Sequence, residues 1–298
     1  MLSVLAASTP LLIAATGELV TERSGVLNLG VEGMMIMGAA CGFAGAWLSG
    51  SIIIGALCGI IAGVSMSLIF AAMTLGLAVN QVATGLALTI LGIGLSGLIG
   101  AGLVGERITP APHLSIPLLS DIPVIGRILF GEDAFVYLSL ALIVAVSWFL
   151  YRTRAGLVLR ACGDNHISAH ALGYPVLRIR LLAVMFGGAC AGLAGAYLPL
   201  AYTPFFIPGM TAGRGWIALA LVVFASWLPG RLVIGAYLFG AVSILQLHAQ
   251  GAGIGIPSQF MSALPYLATV IVLVLLSRTR TGGSTAPAAL GTVFVPDR

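Results

Sequence analysis

Long apolar runs separated by short polar breaks dominate this chain. Counted with a window of about 19 residues, they fall at 2–19, 31–49, 52–77, 81–104, 134–151, 177–203, 214–229, 231–249 and 261–277. None shows the period-2 alternation of a barrel strand, so each predicts a membrane helix; in lipid only helices and closed barrels satisfy their own backbone. The run 214–229 is short for a hydrocarbon core of about 30 Å. The expected fold is therefore all-α, a polytopic membrane helical bundle of 8–9 transmembrane helices over residues 1–280. The tail 281–298 is rich in Gly, Pro, Ser and Thr and is expected to be disordered.

Composition excludes the soluble alternatives. Of 298 residues, 59% are hydrophobic and 7% charged, and mean hydropathy is +1.12, whereas a soluble domain carries roughly 25% charged residues. All thirteen basic residues are arginine. They cluster at the ends of apolar runs and form no stripe with interleaved aromatics, which argues for the positive-inside rule and against nucleic acid. Cys41, Cys58, Cys162 and Cys190 are scattered without CxxC spacing and read as small packing residues. The first run lacks a basic leader and reads as a span, not as a cleaved signal.

Orientation follows from the loop at about 152–176 and its flank, where Arg152, Arg154, Arg160, Arg178 and Arg180 face Asp164 alone. That loop is expected in the cytoplasm. Threading from it places the N-terminus outside and the C-terminus, with Arg278 and Arg280, inside. The proline-bearing connection 105–133 (Pro110, Pro112, Pro117, Pro123) then falls outside. Gly55, Gly59 and Gly63 recur every fourth residue, as do Gly188 and Gly192, and such small faces let helix backbones approach closely.

Polar residues between membrane helices are the functional candidates. In "TERSGVLNLGVEGMM", Gly25, Gly30 and Gly33 flank Asn28 and Glu32, which predicts a helix stopping near Glu18, an irregular crossing, and a new helix from about Leu29. Such broken helices line cavities, while Glu32 in a first turn also stabilises a helix start. In "LAVNQVATGLALT", Asn80 suits an interfacial cap, but Gln81 and Thr84 need another reason. In "RACGDNHISAHALGYP", Asp164 or Asn165 caps a short helix that Gly173 and Pro175 end, a docking element for a partner. His166 and His170 stand four apart without a third ligand, so they read as surface or contact histidines. In "PFFIPGMTAGRGWIALA", Arg214 enters an apolar run, either reaching to headgroups or pairing with Glu32 or with carbonyls. Asn28, Glu32, Asn80, Gln81, Thr211 and Arg214 would line a polar pathway, with Phe205, Phe206 and Trp216 as apolar walls. No triad, Walker lysine, metal set or paired carboxylates within one membrane helix supports an enzyme.

Four motifs, "GELVTERSGVLNLGVEGMMIMGA", "VNQVATGLAL", "GMTAGRGWIALALVVF" and "LPYLATVIVLVLL", together resemble the permease subunit of a bacterial ABC importer. The branch is that of nucleosides and simple sugars, related to branched-chain amino acid and ribose permeases, and the resemblance runs from about Pro10 to about Leu276. It implies a subunit of the cytoplasmic (inner) membrane, embedded in the lipid bilayer and carrying no catalytic residue or cofactor of its own. It further implies a cytoplasmic ABC ATPase holding ATP and Mg, an extracytoplasmic substrate-binding lipoprotein, and a second, longer permease as heterodimer partner. The family's coupling element maps onto Gly163, Asp164, Asn165, Ala169 and Gly173, within a surface that includes Arg160 and His166. Relatives commonly carry proline at the position of His166, so the helix start is less rigid here. The alternative is an ion-coupled secondary transporter acting without an ATPase, using intramembrane carboxylates such as Glu32 and Glu18.

Overall fold

The computed structural model describes residues 2–112, 131–251 and 286–295, with scattered helical positions between 260 and 274. Most of the expected span 261–277 and residues 113–130 of the connection 105–133 lie outside the described residues. The helices are α1 (Leu2–Arg23), α2 (Val31–Ser49), α3 (Ile52–Ala71, prolonged by a π-helical turn Ala72–Gly76) and α4 (Gln81–Gly100). After the connection come α5 (Ala134–Arg152), α6 (Arg154–Asp164), α7 (His166–Ala171) and α8 (Val176–Tyr197, prolonged by Leu198–Tyr202). α9 (Arg214–Phe224) and α10 (Pro229–Gly251) follow. Among the described residues seven helices are long and apolar enough to cross a membrane. The protein is a polytopic helical membrane bundle.

The glycine repeats form the centre of that bundle. A Cβ on Gly192 would strike the carbonyl of Gly59 and come within 3.0 Å of Gly63 Cα, and one on Gly38 would lie 2.6 Å from Gly192 Cα. Helices α2, α3 and α8 thus touch backbone to backbone, a contact that side chains would prevent. Around them α1 runs antiparallel to α8, Gly17 lying against Cys190 and Gly187 against Thr21. Large apolar side chains remain exposed on α3, α4 and α5, as a bilayer or a neighbouring subunit requires.

Two helices begin inside the apolar layer. Gly33, in the first turn of α2, packs on Leu88 and Thr89, about two turns into α4. The non-helical stretch 24–30 therefore climbs from the basic end of the bundle, where the arginines gather, to a start well within the layer. From the opposite end the stretch 203–213 descends in the same way. Phe206 lies against Gly100 at the end of α4, while Gly215 packs on Glu32. With 11 residues α9 rises only about 16 Å, so the run 214–229 does not cross by itself. It returns to the basic end, where Trp227 meets Glu22.

Two expectations are corrected. The first helix continues past Glu18 to Arg23, because the bundle interior supplies polar partners for Glu18 and Glu22 and the helix need not stop where apolarity does. The tail expected to be disordered over 281–298 is folded against the bundle at 286–295. The Ala289 amide donates to the Gly163 carbonyl at 2.9 Å and the Gly291 amide to the Gly25 carbonyl at 3.1 Å. Phe294, flanked by Val293 and Val295, is buried with Cys162, Ala169 and Val176, and that burial offsets the entropy of ordering its neighbours.

Candidate functional site

The starts of α2 and α9 meet at one carboxylate. Glu32 Oε1 accepts from the Thr211 hydroxyl at 2.6 Å and the Gly213 amide at 2.9 Å, and Oε2 accepts from the Gly215 amide at 2.6 Å. All three donors belong to the start of α9, whose unpaired N–H groups the carboxylate accepts, while Glu32 itself stands in the first turn of α2, where the helix dipole also favours an acid. The turn that aims these amides needs left-handed backbone at Ala212 (φ 47°) and Gly213 (φ 81°), and glycine takes such a φ at no steric cost. Glu32 was expected to stabilise its own helix or line a pathway. It also caps α9, a role that only the fold reveals.

Arg214 does not reach Glu32. Its Nη1 donates to the carbonyls of Met210 (3.0 Å) and Thr211 (3.3 Å), and its guanidinium lies 5.9 Å from the Tyr202 ring centroid. Of the partners considered from sequence, the carbonyls are the ones it takes. Phe206 is buried with Phe43 at 6.1 Å, Phe205 is exposed and Trp216 is half-buried.

A second cluster holds the climbing stretch 24–30. The Leu27 amide donates to Gln81 Oε1 at 2.8 Å and the Asn28 amide to Glu18 Oε1 at 3.3 Å, while Asn28 Oδ1 accepts from the Gly30 amide at 3.0 Å. Non-helical backbone buried in a membrane protein persists only when partners such as these satisfy it. Gln81 and Asn28 are buried for this reason. Asn80, by contrast, is exposed and caps α4 through the Ala83 amide at 3.0 Å. Below them Trp227 Nε1 donates to Glu22 Oε2 at 2.5 Å and Arg23 Nη2 donates to the Trp227 carbonyl at 2.8 Å. These bonds hold Ser226 (φ 52°) and Trp227 (φ 57°) in left-handed backbone, a strained conformation for side-chain-bearing residues.

The basic end carries α6 and α7. Asn165 Oδ1 accepts from the Ser168 amide at 2.9 Å, so Asn165 is the cap of α7, while Asp164 ends α6 and is exposed. Gly173 closes the element with φ 86°. Ala169 is buried, Gly163 packs on the backbone of Arg23, and the Arg160 guanidinium lies 5.0 Å from the Tyr151 ring centroid. Arg180, used in the sequence only to orient the loop, proves to be fully buried. Its Nε donates to the Ser24 carbonyl and its Nη1 to the Thr292 carbonyl, both at 3.1 Å, and its Nη2 lies 3.3 Å from His166 Nδ1. Arginine only donates, so Nδ1 is the acceptor and His166 is neutral there.

Burial, and after it the Arg180 guanidinium, hold the His166 imidazole below its ordinary value. The groups around it are Arg180 and the Phe294 ring, which also packs against His170. A depressed folded value means that the undocked form takes up the proton first. The contribution is therefore complete above the unfolded value of about 6.5 and is lost as pH falls below it. Amide exchange at Ala289 and Gly291, corrected for intrinsic rates, is expected to show stronger protection at neutral than at mildly acidic pH. Equal protection at both would remove His166 from the contact.

Residues 1–277 match the family described as the branched-chain amino acid transport system / permease component. The chain belongs to this permease family. One relative is a putative glucose ABC transporter permease protein of Haloferax volcanii, 42% identical over 90% of this chain and 88% of its own. Another is a guanosine ABC transporter permease protein of Bacillus subtilis, 32% identical over 89% of this chain and 88% of its own. A nucleoside ABC transporter permease protein of Lactococcus lactis is 33% identical over 98% and 95%. Permease membership agrees with the sequence resemblance and with the helical bundle.

Proposed function

We propose that this permease subunit forms half of an ATP-driven import pathway for neutral hydroxylated substrates, simple sugars or nucleosides, with ATP hydrolysed on a separate subunit. The observation that carries this reading is the full-length likeness to permeases named for glucose, guanosine and nucleosides. The α2–α9 junction supports it, because two helix starts within the membrane layer are the arrangement that places polar backbone near a transported molecule. Asn28, Gln81, Thr211, Phe206 and Glu32 are largely occupied within the protein, so contact with substrate falls to Asn80, Phe205, Arg214 and Trp216, which are exposed or half-buried. The basic end with α6 and α7 faces the cytoplasm and takes the ATPase, the N-terminus lies outside, and a second permease completes the pathway. Selectivity rests with an extracytoplasmic binding protein.

The test is uptake of labelled glucose and guanosine into vesicles holding this chain with its co-purifying ATPase, sister permease and binding protein. Uptake is expected only with ATP and the full set. Accumulation by this chain alone under an ion gradient would instead establish a secondary carrier. Replacing Asp164 and Asn165 by alanine removes the cap of α7, worth about 1 kcal/mol, together with the exposed acid beside it. Membrane insertion is expected to persist while uptake separates from ATPase stimulation; unaltered uptake would exclude this element from coupling.

A further inference from the structure

The segment 286–295 touches α6, α7, α8 and the foot of the climbing stretch at once. Ala289 bonds the carbonyl of Gly163 at the end of α6, and Gly291 bonds the carbonyl of Gly25 at the foot of the climbing stretch. The Thr292 carbonyl accepts from Arg180, which in the same position bonds Ser24 and His166. Phe294 packs edge-on against both histidines of α7, with ring centroids 5.1 Å from His166 and 5.3 Å from His170. Without this segment α7 is a poor lever. It has six residues, of which only Ala169 is buried, and a helix that short has no stability of its own.

We propose that residues 286–295 and the positioning residue Arg180 form a latch that fixes α7 to the foot of the broken helix. Displacement of α7 is thereby delivered to the α2–α9 junction. The route is continuous: from Phe294 and Arg180 to Ser24 and Gly25, then through Leu27 and Asn28 to the start of α2 and Glu32. Arginine suits the hub because its planar fork donates in three directions at once, which a lysine ammonium does not reproduce. This inference rests on the reading of α7 as the ATPase-coupling element.

The experiment uses the assembled transporter in vesicles and compares the full chain with three variants: removal of residues 286–298, Phe294→Ala and Arg180→Lys. Three quantities are measured, namely the chain present in the membrane, the ATPase bound to it, and ATP hydrolysed per substrate moved. The latch predicts that Phe294→Ala and the truncation keep the ATPase bound while ATP consumed per substrate rises about tenfold, the size of a typical coupling between sites. Arg180→Lys is expected to fall between them and the full chain. A segment that only stabilises the fold would lower the amount of chain and leave the ratio unchanged, and that result overturns the latch. If the truncated chain is lost from the membrane, Phe294→Ala, which removes one ring, decides by the same ratio. If the full chain itself binds no ATPase and moves no substrate with ATP, the proposed function fails; if it does both and the variants match its ratio, the latch alone fails.

Discussion

Replacing Glu32 by glutamine is expected to abolish uptake and to lower the unfolding temperature of the purified protein, although the two side chains have nearly the same shape. Both carboxylate oxygens are in use as acceptors: Oε1 from Thr211 and Gly213, Oε2 from Gly215. A glutamine has one acceptor oxygen. Placed toward Thr211 and Gly213, it turns its NH2 toward the Gly215 amide, and two donors face each other in a buried site. The loss of one bond to a charged group and the exposure of an unpaired N–H together cost about 2–4 kcal/mol, and the charge that balances two helix starts disappears as well. Glu32→Ala removes all three bonds and is expected to be worse. The measurements are thermal unfolding in detergent and uptake in vesicles. A glutamine variant with unchanged unfolding would show that neither the second acceptor oxygen nor the charge holds α9 in place.

The second large effect is expected at Gly192. The α-hydrogen that stands where a Cβ would be faces the Gly59 carbonyl and the Gly63 Cα, and the same residue forms the floor beneath Gly38. Any side chain there meets backbone of α3, which has no rotamer to change, so α3 and α8 must separate. Inserting atoms into a packed core costs about 1–3 kcal/mol, and contact with the α3 backbone at both Gly59 and Gly63 puts Gly192→Val at or above the upper end. Gly192→Ala is expected to be damaging too. The control is Gly94→Ala or Gly97→Ala in α4, where a Cβ would meet nothing within 4 Å. There, alanine is expected to leave stability unchanged or raise it slightly, by roughly 0.5–1 kcal/mol from the backbone entropy of glycine in a helix. If Gly192→Ala and Gly94→Ala unfold at the same temperature, the central glycine contact does not govern stability.

Both predictions concern residues visible in the sequence, but for different reasons. The glycine repeat could be read directly, since a helix places every fourth residue on one face and small residues on a face signal close approach. Which helices they join could not, because any two of the small faces would have fitted. Glu32 was legible as a polar interruption in an apolar chain. Its partners were not, since Thr211, Gly213 and Gly215 lie far along the chain, and neither one hydroxyl nor two glycine amides carry a signature that names their acceptor. The reading also placed Asn80 and Gln81 together as pathway residues, yet adjacent positions at a helix start point differently: Asn80 turns back to cap α4 and Gln81 reaches Leu27.

By itself the sequence determined what local physics fixes: spans long and apolar enough to cross, a break between the first two of them, a short capped helix at the arginine-rich end, and a class of protein that excludes soluble enzymes. Hydropathy, caps and glycine spacing act over a few residues, and a single chain displays them openly. Only the tertiary structure decided that the first helix continues through Glu18 and Glu22, that Glu32 caps a helix beginning at Arg214, and that residues 286–295 close over Arg180. Each of these depends on a buried polar group finding a partner distant in sequence. A buried polar group must find some partner, but which one it finds is set by how the helices pack.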